Sequence, residues 1–331
     1  MATKIRGRRR CSKASPGQLM LLAATHRRPF GTTGLSVSPV AFGSAPVGLL
    51  ASERESAGRL MNRLLDEGVN VVDTAAAYMG AEETIGATLG GRRDEFILVS
   101  KCGADSTEKG WVQATRKEEL SAQIDRSLRR LNTDVIDVML IHSLPLDVIR
   151  EGWPFEALQE ARSAGKIRFA GYSGDNAAAL WAVQQPGISV LQTSLSLVDQ
   201  VNTEQVLPAA AKHGVAVLTK RSIANGCWRP RDQHYERYHN YVDPYRKRFA
   251  AMGLDLARVA PDVSGWSELA IRFTLSFPHV HTAIVGGTSI DRALENLANA
   301  SRGPLPHHVV DAIRSSFAKA RAGGGEWSAL T

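Results

Sequence analysis

The sequence has few cysteines and no long hydrophobic run, and each shortage excludes a class of protein. Its three cysteines, Cys11, Cys102 and Cys227, lie far apart in a chain of 331 residues. That spacing supports neither a disulfide scaffold nor a zinc finger. No segment approaches the roughly 20 consecutive apolar residues of a membrane helix, so we expect no membrane partner.

Acidic residues are missing from the first 50 positions, which hold eight of the 40 Lys and Arg residues. Without these eight, the remaining chain carries 32 basic and 33 acidic residues, so the net charge of +7 arises from the N-terminal segment. The rest has no general basic field, and we expect no nucleic-acid partner. We expect residues 1–27 to be a basic, disordered tail, with a twin-arginine or transit signal as the alternative. Residues 28–331 are expected to form one domain, located in the cytoplasm.

Short β-branched segments alternate with helical patterns from about residue 38 onward. Most of these segments are apolar on both faces, which is typical of parallel strands covered by helices. The predicted strands are residues 40–44, 69–73, 95–101, 135–142, 167–172, 189–194, 215–219 and 281–285. The predicted helices are residues 54–67, 82–89, 117–131, 155–164, 176–184, 203–213, 266–276 and 290–300.

Eight strands alternating with eight helices predict a closed (β/α)₈ TIM barrel of the α/β class. A doubly wound open sheet is the alternative, but it would carry a glycine-rich turn after its first strand. The turn here, residues 43–46, reads Gly-Ser-Ala-Pro and does not match that pattern. Residues 29–38 are expected to form an N-terminal hairpin. The long loop over 220–265, after strand seven, is expected to cover the substrate.

Polar side chains end three neighbouring predicted strands. Asp73 ends strand two, Lys101 strand three and His142 strand four, and Tyr78 follows Asp73 in the next loop. Active sites of such barrels lie where the strands end. Each residue alone has a structural explanation. Asp73 could cap a turn and Tyr78 could pack on a helix. Lys101 could pair with a buried acid and His142 could be a buried core residue. Their convergence on one end of the barrel favours catalysis.

Five motifs in this order resemble those of the aldo-keto reductase superfamily. They are GTTGLSVSPVAFGS, VDTAAAY, LVSK, LIHS and IVGGTSIDRALENLA. The resemblance extends over about residues 28–300 and implies hydride transfer between nicotinamide and a carbonyl carbon. It assigns the family's catalytic Asp, Tyr, Lys and His to Asp73, Tyr78, Lys101 and His142.

These side chains suit the roles that the resemblance implies. A carbonyl that accepts hydride develops negative charge on oxygen and needs a proton donor, here Tyr78. We expect the ammonium of Lys101 to lower the pKa of Tyr78 and Asp73 to hold that ammonium in place. Neutral His142 would orient the carbonyl oxygen. No metal-ligand spacing is present.

The resemblance also implies a dinucleotide held along the barrel mouth, NADP rather than NAD. Backbone N–H groups at a helix start bind phosphate, and an arginine suits the 2′-phosphate. The predicted phosphate residues are Gly286, Gly287, Thr288, Ser289 and Arg292, and the predicted adenine contacts are Glu295 and Asn296. Ser173 and Gln192 would hold the nicotinamide amide. Gly174 replaces the family's usual Asn there, and Arg221 stands where an aromatic ring usually stacks on nicotinamide.

Two alternatives to a carbonyl reductase stay open. The same chemistry can run oxidatively as an alcohol dehydrogenase, or the chain can be a regulatory subunit resembling channel β-subunits. The expected partner is a small carbonyl compound, and the default oligomeric state is a monomer.

Overall fold

The computed structural model describes residues 27–49, 53–107, 110–234 and 236–330. Eight parallel strands close into a barrel in the order β3, β4, β5, β8, β9, β10, β11, β12, and two short antiparallel hairpins, β1–β2 and β6–β7, lie outside it. The strands are β1 (Arg28–Pro29), β2 (Ser36–Val37), β3 (Val40–Gly43), β4 (Val71–Asp73), β5 (Ile97–Cys102), β6 (Ala104–Thr107), β7 (Gly110–Gln113), β8 (Ile136–His142), β9 (Ile167–Ser173), β10 (Ile188–Ser194), β11 (Ala216–Lys220) and β12 (Thr282–Gly286).

Helices surround the barrel on the outside. They are α1 (Ala45–Leu49), α2 (Arg54–Asp66), α3 (Ala81–Leu89), α4 (Lys117–Leu131), α5 (Leu146–Arg150), α6 (Trp153–Ser163), α7 (Asn176–Ala182), α8 (Val206–Lys212), α9 (His239–Met252), α10 (Leu256–Val259), α11 (Trp266–Leu275), α12 (Ile290–Ser301) and α13 (His307–Ala322). Their apolar faces are patterned for this packing. In α4, for example, Leu120, Ile124 and Leu131 are buried and the charged residues face outward.

The apolar residues form two cores. The larger one fills the layer between the strands and the helices, and the smaller one fills the barrel interior with small and branched side chains such as Val71, Val99 and Leu140. Phe30 of the N-terminal hairpin belongs to the inner core and is fully buried. This hairpin lies at the end where the strands begin, because Thr32 N–H donates to the carbonyl of Gly214, just before β11.

The predicted (β/α)₈ barrel is confirmed, with strand ends close to those expected and the N-terminal hairpin present as β1 and β2. The helix expected over 203–213 begins only at Val206. The sequence did not predict the hairpin β6–β7, the short helices α1 and α5, or the last helix α13. Nor did it predict helices α9 and α10 inside the segment 220–265, which was expected to be a loop.

Some sequence expectations fall outside the described residues. Nearly all of the predicted basic tail, residues 1–27, and Cys11 within it lie outside the described residues. Cys102 and Cys227 are buried and carry no disulfide. Among the described helices, none has the length and the apolar content to cross a membrane.

Candidate active site

Four predicted side chains meet at the end of the barrel where the strands stop. Asp73, Lys101 and His142 end or nearly end β4, β5 and β8, and these three strands are hydrogen-bonded neighbours. All three side chains are buried, and Lys101 is completely so. Tyr78, in the segment between β4 and α3, is partly exposed. The structure therefore brings together the four residues that the strand ends predicted.

Lys101 and Asp73 form a buried ion pair. The Lys101 Nζ lies 2.7 Å from Asp73 Oδ1 and 2.9 Å from Oδ2, and it also donates to the carbonyl of Thr74 at 2.7 Å. Burial lowers the pKa of Lys101, and the Asp73 carboxylate opposes that shift. Because two carboxylate oxygens and one carbonyl oxygen accept hydrogen bonds from the ammonium, its position is fixed.

Tyr78 packs between this ion pair and His142. The Lys101 Nζ lies 5.0 Å from the centre of the Tyr78 ring, and the Tyr78 and His142 rings meet edge to face at 5.9 Å. On the other side, the segment approaches α1 so closely that a Cβ on Gly48 would come within 2.8 Å of the Tyr78 carbonyl carbon. Glycine at that position permits the contact.

The expected lowering of the Tyr78 pKa is wrong for this structure. Burial raises the pKa of the phenol, the Asp73 carboxylate raises it further, and the Arg221 guanidinium only partly offsets both. The ammonium of Lys101 faces the ring, and Asp73 neutralises its charge. Tyr78 therefore keeps its proton at neutral pH, which is the form that a proton donor needs.

His142 is neutral, as expected. Burial lowers its pKa well below the usual value, and the positive charges of Lys101 and Lys220 lower it further. A neutral imidazole can donate one hydrogen bond to a carbonyl oxygen.

Gln192 and Ser173 join these four residues from the next two strands. The Gln192 Nε2 donates to Asp73 Oδ1 at 2.6 Å, and Ser173 Oγ donates to Gln192 Oε1 at 3.1 Å. The sequence predicted a nicotinamide contact for this pair but not the link to Asp73. Gly174 has a packing reason, because a Cβ there would lie 2.4 Å from the Tyr172 ring.

A second buried ion pair was not predicted. Lys220, the last residue of β11, lies 3.0 Å from Asp175 Oδ2. The Asp175 carboxylate also accepts from Thr193 Oγ1 and Ser194 N–H. In the sequence, Lys220 directly follows the predicted strand 215–219, and Asp175 lies between a predicted strand and a predicted helix, so neither position indicates a buried charge.

Arg221 follows at once, in a left-handed backbone conformation with φ of 60°. Its guanidinium lies 6.0 Å from the centre of the Tyr245 ring. Its Nη1 is buried and has no hydrogen-bond partner within the part of the chain that the structure describes. The charge of this side chain lowers the pKa of Tyr78.

The predicted phosphate and adenine residues lie together at the junction of β12 and α12. Gly286 ends the strand, Gly287 and Thr288 form the turn, and Ser289 caps the helix by accepting from the Arg292 N–H. Arg292 and Glu295 are exposed and Asn296 is partly buried, all within the first two turns of α12.

Arg229, from the segment after β11, is electrostatically coupled to Arg292. Burial lowers the pKa of Arg229, and the charge of Arg292 lowers it further. The Arg229 Nε is buried without a hydrogen-bond partner among the described residues. Guanidinium groups with spare donor capacity fit a phosphate group.

Comparisons with known proteins agree with this architecture. The model of the Aldo/keto reductase family matches residues 39–317. The chain is 28% identical to the uncharacterized oxidoreductase YqkF of Bacillus subtilis over 299 residues, which cover 87% of this chain and 95% of that protein. It is 27% identical to the "Probable voltage-gated potassium channel subunit beta" of Arabidopsis thaliana, covering 85% of this chain and 92% of that protein.

The fold also matches a solved structure, the aldo-keto reductase AKR11C1 from Bacillus halodurans in its holo form. The TM-score is 0.74 at 28% identity, covering 88% of this chain and 95% of that one. The family model matches far more than half of the chain, and its catalytic motifs converge in the structure. The chain therefore belongs to the aldo/keto reductase family.

Proposed function

We propose that the protein reduces an aldehyde or ketone to an alcohol with NADPH, and that Tyr78 is the general acid. The observation that carries this proposal is the buried Lys101–Asp73 ion pair, which faces Tyr78 and His142 at the open end of the barrel. A fixed ammonium, a protonated phenol and a neutral imidazole are the groups that a carbonyl needs as its oxygen becomes negative.

The proton moves from Tyr78 to the substrate. The carbonyl oxygen accepts hydrogen bonds from the Tyr78 hydroxyl and from His142. As hydride reaches the carbonyl carbon, the phenol O–H bond breaks and the oxygen takes that proton, which leaves an alcohol and a phenolate. Arg221 stabilises the phenolate until water returns the proton.

NADPH supplies the hydride when it is bound. Arg292 and Arg229 would hold its 2′-phosphate, and the backbone of Gly286, Gly287, Thr288 and Ser289 would bind phosphate oxygens. Glu295 and Asn296 would contact the adenine. Ser173, Gln192 and Arg221 would position the nicotinamide.

The same residues can serve reduction and oxidation, and the proposed preference for NADPH is what favours reduction. A regulatory role is the second candidate, since one relative is named as a channel β-subunit. The complete, hydrogen-bonded catalytic group favours the enzyme.

A screen of aldehydes and ketones with the purified protein tests the proposal. NADPH and NADH oxidation are followed in parallel by the loss of nicotinamide absorbance. We expect at least one carbonyl to be reduced with NADPH. If no carbonyl consumes either nucleotide, the reductase proposal is wrong.

The preference for NADPH has its own test. Replacing Arg292 with Ala removes a charged contact to the 2′-phosphate, each such contact being worth about 1.5–3 kcal/mol. We expect the Kd of NADPH to rise at least about tenfold, with no change for NADH. The exposed Arg129 on α4 supplies the control, Arg129→Ala, which should change neither Kd. Equal weakening of both nucleotides by Arg292→Ala would contradict the assignment.

A further inference from the structure

The segment that carries Tyr78 is tied at both ends to the segment that carries Lys101. Ahead of the tyrosine, the Ala77 carbonyl accepts a hydrogen bond from Ser106 Oγ at 2.7 Å. Ser106 lies in β6, which follows β5 after a single residue. This contact therefore joins the residue before Tyr78 to the chain that continues from Lys101.

Beyond the tyrosine, a second hydrogen bond makes the same connection. Glu82, four residues after Tyr78, accepts from Ser100 Oγ at 2.7 Å. Ser100 immediately precedes Lys101 in β5, where alternate side chains point to opposite faces. Glu82 thus lies behind the strand whose other face carries the catalytic ammonium.

One arginine connects the two attachments. The Arg130 Nη1 of α4 lies 3.6 Å from Glu82 Oε2 and 3.7 Å from Asp105 Oδ1. Asp105 precedes Ser106 in the hairpin and accepts its N–H at 2.9 Å. We call these five residues, Glu82, Ser100, Asp105, Ser106 and Arg130, the Arg130 cluster.

Glu82 is costly where it lies. It is 1% exposed, burial raises its pKa, and its Oε2 has no hydrogen-bond partner among the described residues. A buried charge is weak support for stability, since an apolar residue of similar volume often serves as well. A role in fixing the geometry of this segment therefore explains the carboxylate at position 82 better than a role in stability does.

We propose that Ser106 and Glu82 are positioning residues that fix Tyr78 against Lys101. The inference rests on the proposed function, in which Tyr78 donates the proton. Neither side chain touches the reacting atoms. Their two hydrogen bonds restrict the segment at Ala77 and at Glu82, so the phenol hydroxyl cannot drift from the carbonyl oxygen. Displacement of a catalytic group by about 1 Å can cost 100-fold in rate.

The first test removes the Ser106 hydroxyl. Ser106→Ala should lower the single-turnover rate of benzaldehyde reduction by NADPH at least about tenfold, with the Kd of NADPH unchanged. Ser106→Thr keeps the hydroxyl and should restore most of the rate. The matched control is Ser316→Ala, because Ser316 Oγ donates to the distant Met252 carbonyl at 2.6 Å. This control should leave the rate unchanged.

Glu82→Met is the second variant; it removes the acceptor of the Ser100 hydroxyl and should lower the same rate without changing the Kd of NADPH. The inference is overturned if Ser106→Ala keeps the wild-type rate. It is also overturned if Ser316→Ala causes the same loss, or if threonine fails to restore the rate.

A readout without turnover separates this inference from the proposed function. Fluorotyrosine is incorporated, and the resonance of residue 78 is assigned by its absence in Tyr78→Phe. Ser106→Ala should shift or broaden that fluorine resonance, whereas Ser316→Ala should not. If the wild type reduces no carbonyl, the proposed function fails, and an unchanged fluorine resonance in Ser106→Ala would overturn the positioning role as well.

Discussion

The buried ammonium of Lys101 is stable only because Asp73 accompanies it. Both side chains are shielded from water, and burial alone lowers the pKa of the lysine. Removing one partner of a buried pair leaves an uncompensated charge, which typically costs about 3–5 kcal/mol. The Lys101–Asp73 pair is therefore a strong constraint on folding.

Asp73→Asn should lower the free energy of unfolding by about 3–5 kcal/mol. Urea unfolding followed by circular dichroism measures this change. The control is Asp125→Asn, which removes the partly exposed ion pair with Lys166 and should cost less than about 1 kcal/mol. Similar losses in the two variants would show that Lys101 is not held as a buried charge.

His142 should not control the pH dependence of the reaction. Its pKa is lowered by burial and by Lys101 and Lys220, so the ring is neutral above that lowered value and charges only in acid. We expect kcat/KM to show no inflection near pH 6.5, the usual histidine value. His142→Gln should lower kcat/KM without changing the shape of the profile. A wild-type inflection near 6.5 that vanishes in this variant would contradict the neutral assignment.

Among the elements, α9 is the clearest example of a helix that the sequence pattern did not predict. Its segment contains Pro244 and many polar residues, which hid the helical spacing of Tyr241, Tyr245 and Phe249. A tertiary contact also holds the helix, because the Tyr245 hydroxyl donates to Asp199 Oδ2 at 2.7 Å. The hairpin β6–β7 was missed for a similar reason, since its short strands are polar and Asp105 is paired with Arg126 of α4. Long-range polar contacts leave no periodic pattern along a chain.

The burial of Asp199, which contacts α9, should make stability depend on pH. Burial and the charge of Asp175 raise the pKa of Asp199 from 3.8 to about 6, although Tyr245, Arg248 and Arg221 oppose the shift. The folded state holds this proton more tightly than the unfolded chain. Stability from this group is therefore complete below about pH 4 and is lost as the pH rises through 6.

Asp199→Asn should remove the loss of stability that accompanies the rise in pH. The difference between the two pKa values corresponds to about 3 kcal/mol, so the variant should be more stable than the wild type by up to about that amount at pH 8. The advantage should shrink toward pH 5. Urea unfolding at both values measures it, and an advantage that is equal at pH 5 and pH 8 would contradict the raised pKa.

At the scale of the whole molecule, closing the barrel brings together residues that lie far apart in the sequence. The predicted strands were recognisable because burial on both faces leaves continuous apolar runs, as in β8. The positions of Asp73, Lys101 and His142 followed from strand ends alone. The direction of the Tyr78 pKa shift did not, because it depends on how deeply the phenol is buried, with Asp73 raising the pKa further and Arg221 opposing the shift. The Lys220–Asp175 pair and the burial of Arg229 could not be predicted either, because both depend on contacts that form only in the folded chain.

The central claim is that Tyr78 donates the proton when a carbonyl is reduced. Tyr78→Phe keeps the ring against Lys101 and His142 but removes that proton. General acid catalysis contributes about 10²–10⁴-fold in rate, and the nucleotide does not depend on this hydroxyl for binding. The decisive measurement is single-turnover oxidation of NADPH by a carbonyl substrate in the wild type and in Tyr78→Phe. The account predicts an unchanged Kd for NADPH and a rate at least about 100-fold lower, whereas a variant that turns over at the wild-type rate would contradict it.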